Sequence, residues 1–149
     1  MPQTETKSLI VEASTEVLES MCFTGVVGEM AGSSVYGGDC ISARLYFSGA
    51  TSGELGISAS LTTATTLAAA FLGEDPSQLT SSQIAEFLGE LSNMICGSTL
   101  SRMAGNGVYK LSHPTSETCF PSYLPNGTRQ TIQLDRGELF IWLSVGDSA

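Results

Sequence analysis

Apolar residues recur at two different spacings along this chain, and the spacing predicts which segments are helices and which are strands. Spacings of three and four predict helices over residues 7–22, over LTTATTLAAAFL and over about residues 80–104. Alternation of apolar and polar residues predicts strands in ISARLYFSG, GELGISASL, VYKLSHPTSETCF, TRQTIQLD and GELFIWLSV. Strands joined by hairpins favour an antiparallel sheet with the helices packed on it, which is an α+β fold.

Turn and capping residues divide these segments. GATSG joins the first two strands, and DRG at residues 135–137 joins the last two. The expected helix caps are short polar residues and glycines: Thr62 or Thr63 and Gly73 for the second helix, and Thr80, Ser81 or Ser82 and the GNG of residues 105–107 for the long helix. The stretch FTGVVGEMAGSSVYGGD lacks the GK[ST] of a P-loop, so we interpret it as a glycine-rich connector with room for a short strand.

Length, composition and charge narrow the function classes. With 149 residues, 42% of them apolar and 14% charged, the chain fits one globular domain over residues 1–149. Its net charge of -9 disfavours nucleic acid and anionic lipid as partners. The sequence shows no signal peptide and no apolar run long enough for a membrane span, so we expect a cytoplasmic protein without a membrane partner.

The residues that usually carry metal or nucleophilic chemistry are sparse. The four cysteines are widely spaced and form no CxxC or Cys/His cluster, so we predict no metal site and interpret them as small buried side chains: Cys22, Cys40, Cys96 and Cys119. The single histidine, His113, precedes Pro114 and has no nucleophile motif nearby. A structural or solvated histidine is therefore the favoured interpretation.

The long helix has two different faces, because each residue advances about 100° around the axis. The apolar face carries Ile84, Leu88, Leu91 and Ile95, and the opposite side carries Glu86, Glu90, Asn93 and Gly97. Asparagine and glycine are poor residues for a helix interior, and each glycine costs up to about 1 kcal/mol relative to alanine. Either this is a solvated polar face that contains an incidental asparagine, or another surface contacts it.

The stretch GELSNMICG, residues 89–97, resembles the CheX/CheC family of chemotaxis phosphatases, whose members carry E-x-x-N on a long surface helix. G-E-L-x-N-M-x-x-G is typical of the CheX branch, and the proline of YKLSHPT lies at the expected distance downstream. No other glutamate is followed three residues later by asparagine, so a single ExxN helix places the chain nearer CheX than CheC. Glu86 stands where the family usually has serine or aspartate, which bears on partner choice.

The resemblance implies a phosphatase that acts on the aspartyl-phosphate of a CheY-like receiver. Asn93 would position the water, Glu90 would pair with a receiver lysine, and Glu86 and Gly97 would contact the partner. No cofactor of its own is expected, since the receiver supplies Mg²⁺. The resemblance also implies a homodimer, and the last strand, LFIWLSV, is apolar enough to make an exposed sheet edge hazardous. The alternative is that Leu139, Ile141 and Leu143 face the core while a helix covers Trp142.

Two other functions remain open at this point. A binding module would recognise a receiver through the same helix without hydrolysing it, and a purely structural domain would carry an incidental ExxN. For the phosphatase, we expect Glu90 and Asn93 on one continuous exposed patch with no deep pocket beneath them.

Overall fold

The structure of the chain is a computed structural model, which describes residues 3–31, 39–104, 108–118, 121 and 123–146. The elements within these ranges are α1 (Gln3–Met21), β1 (Val26–Ala31), β2 (Cys40–Ser48), β3 (Ser52–Ser60), α2 (Leu61–Leu72), a 3₁₀ turn (Pro76–Gln78), α3 (Ser81–Ala104), β4 (Lys110–Leu111), β5 (Thr115–Glu117), β6 (Thr128–Leu134) and β7 (Glu138–Gly146). These elements confirm the predicted α+β fold. The glycine-rich connector holds the short strand β1, whereas the GNG of residues 105–107 and Cys119 lie outside the described residues.

The strands form one antiparallel sheet in the order β1-β6-β7-β3-β2-β4, and β5 also pairs with β2. The strand predicted over residues 108–120 is therefore two short strands, which pair with β2 at Phe47↔Leu111 and Ala43↔Ser116. Pro114 lies in the break between them, because proline has no N–H to continue the ladder of hydrogen bonds.

The helices pack on one face of the sheet, where a single apolar cluster forms the core. Ile10 of α1, Leu67 of α2 and Leu88 of α3 meet Ile57 of β3 and Ile141 of β7 in this cluster. Successive residues of a strand point to opposite faces, so every second strand residue faces these helices. Removal of apolar surface from water is the main term that holds the helices to the sheet.

The other face of the sheet carries a buried tryptophan. The indole Nε1 of Trp142 donates to Glu54 Oε2 at 2.8 Å, and Arg44 Nη1 donates to the same oxygen at 3.3 Å. The Arg44 guanidinium also lies 5.6 Å from the indole centroid, within the range of a cation–π contact. The sequence-based alternative that a helix covers Trp142 is therefore wrong, although Leu139, Ile141 and Leu143 do face the core.

β7 is an interior strand, which corrects the expectation of an exposed edge at LFIWLSV. It pairs with β3 on one side and with β6 on the other. Its backbone therefore has neighbours on both sides, and the homodimer prediction loses its argument from an unpaired strand. The homodimer itself stays a prediction that rests on the family resemblance.

The caps of the helices differ in part from the predicted ones. Ser60, not Thr62 or Thr63, caps α2, and its side chain accepts a hydrogen bond from the Thr63 backbone N–H at 3.1 Å. Gly73 ends α2 as predicted, in the left-handed conformation at φ 68°. Thr80 caps α3, because its Oγ1 accepts a hydrogen bond from the Gln83 N–H and the Gln83 side chain accepts one from the Thr80 N–H. This reciprocal pair is a capping box.

The cysteines described by the structure match the predicted role. Cys22, Cys40 and Cys96 are all buried. Burial raises the pKa of the Cys22 thiol to about 11 and that of the Cys96 thiol to about 12. Across the described residues, no helix has both the length and the apolar character needed to cross a membrane.

Candidate functional site

The helix α3 presents the two faces that its sequence predicts. Ile84 is 6% exposed, and three further members of its apolar stripe are fully buried: Leu88, Leu91 and Ile95. Burial of this stripe against the sheet fixes the rotation of the helix about its axis. The side that carries Glu86, Glu90, Asn93 and Gly97 is therefore turned towards solvent.

The four site residues are not equally accessible. The structure exposes Glu86 and Glu90, whereas Asn93 and Gly97 are half-buried. The predicted continuous exposed patch is thus correct for the two carboxylates and only partly correct for the asparagine. Within the described part of the chain, neither Glu90 nor Asn93 has a side-chain hydrogen bond. The Asn93 amide therefore keeps its donors and its acceptor for a water or a partner.

Pro114, between β4 and β5, and Ser116 of β5 contact α3 in the two turns before Asn93. Gly89 is buried, and a Cβ added to it would lie 3.2 Å from Pro114 Cγ. The Ser116 hydroxyl donates to the Ala85 carbonyl oxygen of α3 at 3.0 Å. Gly89 thus lets Pro114 pack closely on the helix, because a Cβ there would require the proline ring to shift by a few tenths of an ångström. A Cβ on Gly97 would meet nothing within 4 Å, so Gly97 leaves open space.

Two grooves flank the exposed carboxylates. One has a volume of about 470 Å³ and is lined by Ser82, Ala85, Glu86, Gly89, Glu90, His113, Pro114 and Ser116. The second has a volume of about 260 Å³ and is lined by Phe71, Leu72, Gln83, Glu86, Phe87 and Glu90. Glu86 and Glu90 therefore form a ridge between the two grooves. The sequence did not predict the second groove, because it forms only where the end of α2 meets α3.

His113 is exposed and lines the larger groove, which agrees with the solvated role that its sequence context favours. Across the described residues, no three His, Cys, Asp or Glu side chains lie close enough together to hold a metal ion. The site is therefore built from two carboxylates, one amide and small residues on the solvent side of a single helix.

A family model described as "Chemotaxis phosphatase CheX" matches residues 41–119 of the chain. No curated protein sequence matches the chain. Among solved structures, CheX from Vibrio vulnificus has a TM-score of 0.76 at 19% identity, with 98% of this chain and 99% of that chain covered. CheX from Desulfovibrio desulfuricans has a TM-score of 0.73 at 17% identity, with 95% and 99% covered.

A further similar structure is the CheX–CheY–BeF3–Mg²⁺ complex from Borrelia burgdorferi. Its TM-score is 0.73 at 16% identity, and the match covers 94% of this chain and 97% of that chain. At these sequence identities the structural likeness establishes the fold, and the match to the family model establishes the family.

Proposed function

The chain belongs to the family of the chemotaxis phosphatase CheX, whose model matches more than half of its length, and from this premise we propose that it hydrolyses the aspartyl-phosphate of a CheY-like receiver. The observation that carries the proposal is the placement of Glu90 and Asn93. They are three residues apart on the solvent side of α3, where side chains at this spacing are neighbours.

Asn93 positions the water in this mechanism. The water oxygen attacks phosphorus in line, and the bond from phosphorus to the aspartate oxygen breaks. The aspartate leaves as a carboxylate, and both water protons remain with the phosphate, which departs as H₂PO₄⁻. An acyl phosphate is already activated, so placement of the water accounts for most of the acceleration. An amide suits this role, because it donates and accepts hydrogen bonds and carries no charge that would repel the phosphoryl group.

Glu90 anchors the receiver across its phosphorylation pocket. Its exposed carboxylate is free to form a charge-assisted hydrogen bond with a lysine of the receiver. The Mg²⁺ belongs to the receiver, so this chain needs no cofactor of its own. The Borrelia burgdorferi complex, which contains both CheY and Mg²⁺, supports this division of roles.

Glu86 and Gly97 extend the docking surface on either side of the ExxN pair. Glu86 is exposed one turn before Glu90, and Gly97 leaves open space one turn after Asn93. The partner's backbone can therefore approach the helix at Gly97. The proposal includes a cytoplasmic location, where a receiver is available, and a homodimer that leaves this face of α3 free.

Substitution of the two residues should separate chemistry from docking. Asn93→Ala should lower kcat for dephosphorylation of the cognate receiver by at least about 100-fold while KM changes little, because it removes the positioned water.

Glu90→Ala should mainly raise KM, because it removes a contact made in the ground-state complex as well. Glu90→Gln should lie between Glu90→Ala and the parent. Single-turnover measurements with a ³²P-labelled receiver distinguish these effects.

The matched controls are Ser101→Ala, at an exposed position of α3, and Glu19→Ala, at an exposed position of α1. Both should retain parent kinetics, and circular dichroism should show the same helix content in every variant. Near-normal activity of Asn93→Ala would refute the water-positioning role. A receiver that binds the parent protein but is never dephosphorylated would instead identify a binding module.

A further inference from the structure

The smaller groove beside Glu90 has an apolar floor at the edge of an acidic surface. Phe87 of α3 is 3% exposed and forms the floor, and its ring centroid lies 5.3 Å from that of the half-buried Phe71. Leu72, the last residue of α2, stands on the rim with 43% of its surface exposed. Leu72 and the half-buried Phe71 therefore leave apolar surface open to solvent at this groove.

The walls of this groove are fixed by the caps of two helices. Gly73 caps α2 with its N–H bonded to the Ala69 carbonyl, which sets the position of Leu72 immediately before it. On the other side, the Thr80–Gln83 capping box fixes the first turn of α3. The groove is therefore preformed, and a partner that enters it need not order these residues.

The rim of the groove is acidic. Glu86 and Glu90 line it, and none of the six Lys and Arg residues of the chain does. Its volume of about 260 Å³ lies below the range of roughly 300–1,000 Å³ that is usual for small-molecule sites. Both features favour a single apolar side chain, carried on a basic surface, over a free metabolite.

We propose that this groove binds an apolar side chain of the phosphorylated receiver, on a segment that also presents a Lys or Arg to Glu86. The proposal rests on the proposed function, because Glu90 both lines the groove and pairs with the receiver lysine. A receiver placed over Glu90 therefore lies against Phe71 and Leu72 as well. The groove acts as a specificity pocket that selects among receivers by the side chain at this position.

Contacts of this kind act on binding and not on the chemical step. The side chain is buried to the same extent before and during phosphoryl transfer, so its loss weakens the ground state and the transition state equally. Loss of the groove should therefore raise KM and leave kcat unchanged. This split is opposite to the one expected for Asn93→Ala.

The test compares Leu72→Ser with Leu61→Ser, since Leu61 is 39% exposed at the other end of the same helix. Leu72→Ser should raise KM for the cognate phospho-receiver about tenfold, the effect of losing one apolar anchor. Leu61→Ser should keep the parent KM. The same ratio should appear in the Kd for the receiver activated with BeF3 and Mg²⁺, the combination in the Borrelia burgdorferi complex. Thermal melts of the two variants show whether either substitution disturbs the fold.

A third variant tests the basic part of the partner. Glu86→Gln should raise KM at low ionic strength and have less effect at 0.5 M salt, because salt screens exposed charges. A KM for Glu86→Gln equal to that of the parent at low ionic strength would remove the basic residue from the proposal.

The outcomes separate this inference from the proposed function. If the parent protein is active and Leu72→Ser and Leu61→Ser have equal KM and Kd values, the proposed role of the groove is wrong and the proposed phosphatase activity stands. An inactive parent whose receiver binding is weakened by Leu72→Ser would overturn the phosphatase and leave the groove. A parent that neither binds nor dephosphorylates any receiver of its source organism would overturn both.

Discussion

Two glycines in the same helix serve different purposes, and only the structure separates them. Gly89 is matched to Pro114, since an added Cβ would lie 3.2 Å from the proline ring. Gly97 has no such neighbour within 4 Å, so the described residues contain nothing that offsets its unfavourable helix propensity. The open space at Gly97 is consistent with the proposal that a partner approaches the helix there.

Gly97→Ala should therefore stabilise the protein and impair its function. The expected gain in the free energy of unfolding is up to about 1 kcal/mol, because alanine is the better helix former and meets no clash. Urea denaturation measures this gain, and KM for the phospho-receiver should rise in the same variant. Ser101→Ala on the same helix controls for propensity alone and should not change KM. A destabilised Gly97→Ala protein, or one with parent kinetics, would contradict the clearance role.

Among the elements, α2 shows why sequence periodicity identifies a helix more reliably than it identifies the residue at which the helix begins. β3 continues into α2 without a loop, so the cap is the last residue of the strand. Alternation in GELGISASL assigns Ser60 to the strand, and the threonines that follow it also suit a cap. The backbone of Ser60, at φ -63° and ψ 153°, is extended, which is the conformation that a capping residue adopts.

The cap can be tested with neighbouring residues of similar chemistry. Ser60→Ala should lower the free energy of unfolding by about 1 kcal/mol, because it leaves the Thr63 N–H without its acceptor. Thr62→Ala, at an exposed position two residues later, should change it by less than about 0.5 kcal/mol. Guanidinium denaturation of both variants measures the difference. A larger loss for Thr62→Ala would restore the cap expected from the sequence.

For the whole molecule, the sequence predicted the elements and the two hairpins β2–β3 and β6–β7, but not the other strand pairs. Alternation specifies which face of a strand is buried, and it does not specify which strands pair. The apolar run LFIWLSV suggested an edge, yet its first five residues are buried on both faces of the sheet, as in a central strand. Likewise, helical spacing placed Glu90 and Asn93 on the solvent side, while the smaller groove depends on how α2 packs against α3.

The buried thiols report on the integrity of the whole core. Cys22 and Cys96 are inaccessible, and burial raises both pKa values well above the usual range of a free thiol, so little thiolate forms at pH 8. Iodoacetamide at pH 8 should therefore label them only after unfolding. Peptide mass spectrometry across a urea series should show labelling that follows the circular dichroism transition. Rapid labelling of Cys96 in native buffer would instead reveal local opening of α3.

The central position of β7 has a consequence for synthesis on the ribosome. β7 alone joins the β1–β6 pair to the part of the sheet formed by β3, β2, β4 and β5, and translation delivers it after every other described strand. Until then, the backbone of β3 that will pair with β7 has no sheet partner among the described strands. An unpaired strand of this kind invites association between nascent chains. The interval between synthesis of β3 and synthesis of β7 is therefore the one in which we expect this protein to depend most on a chaperone.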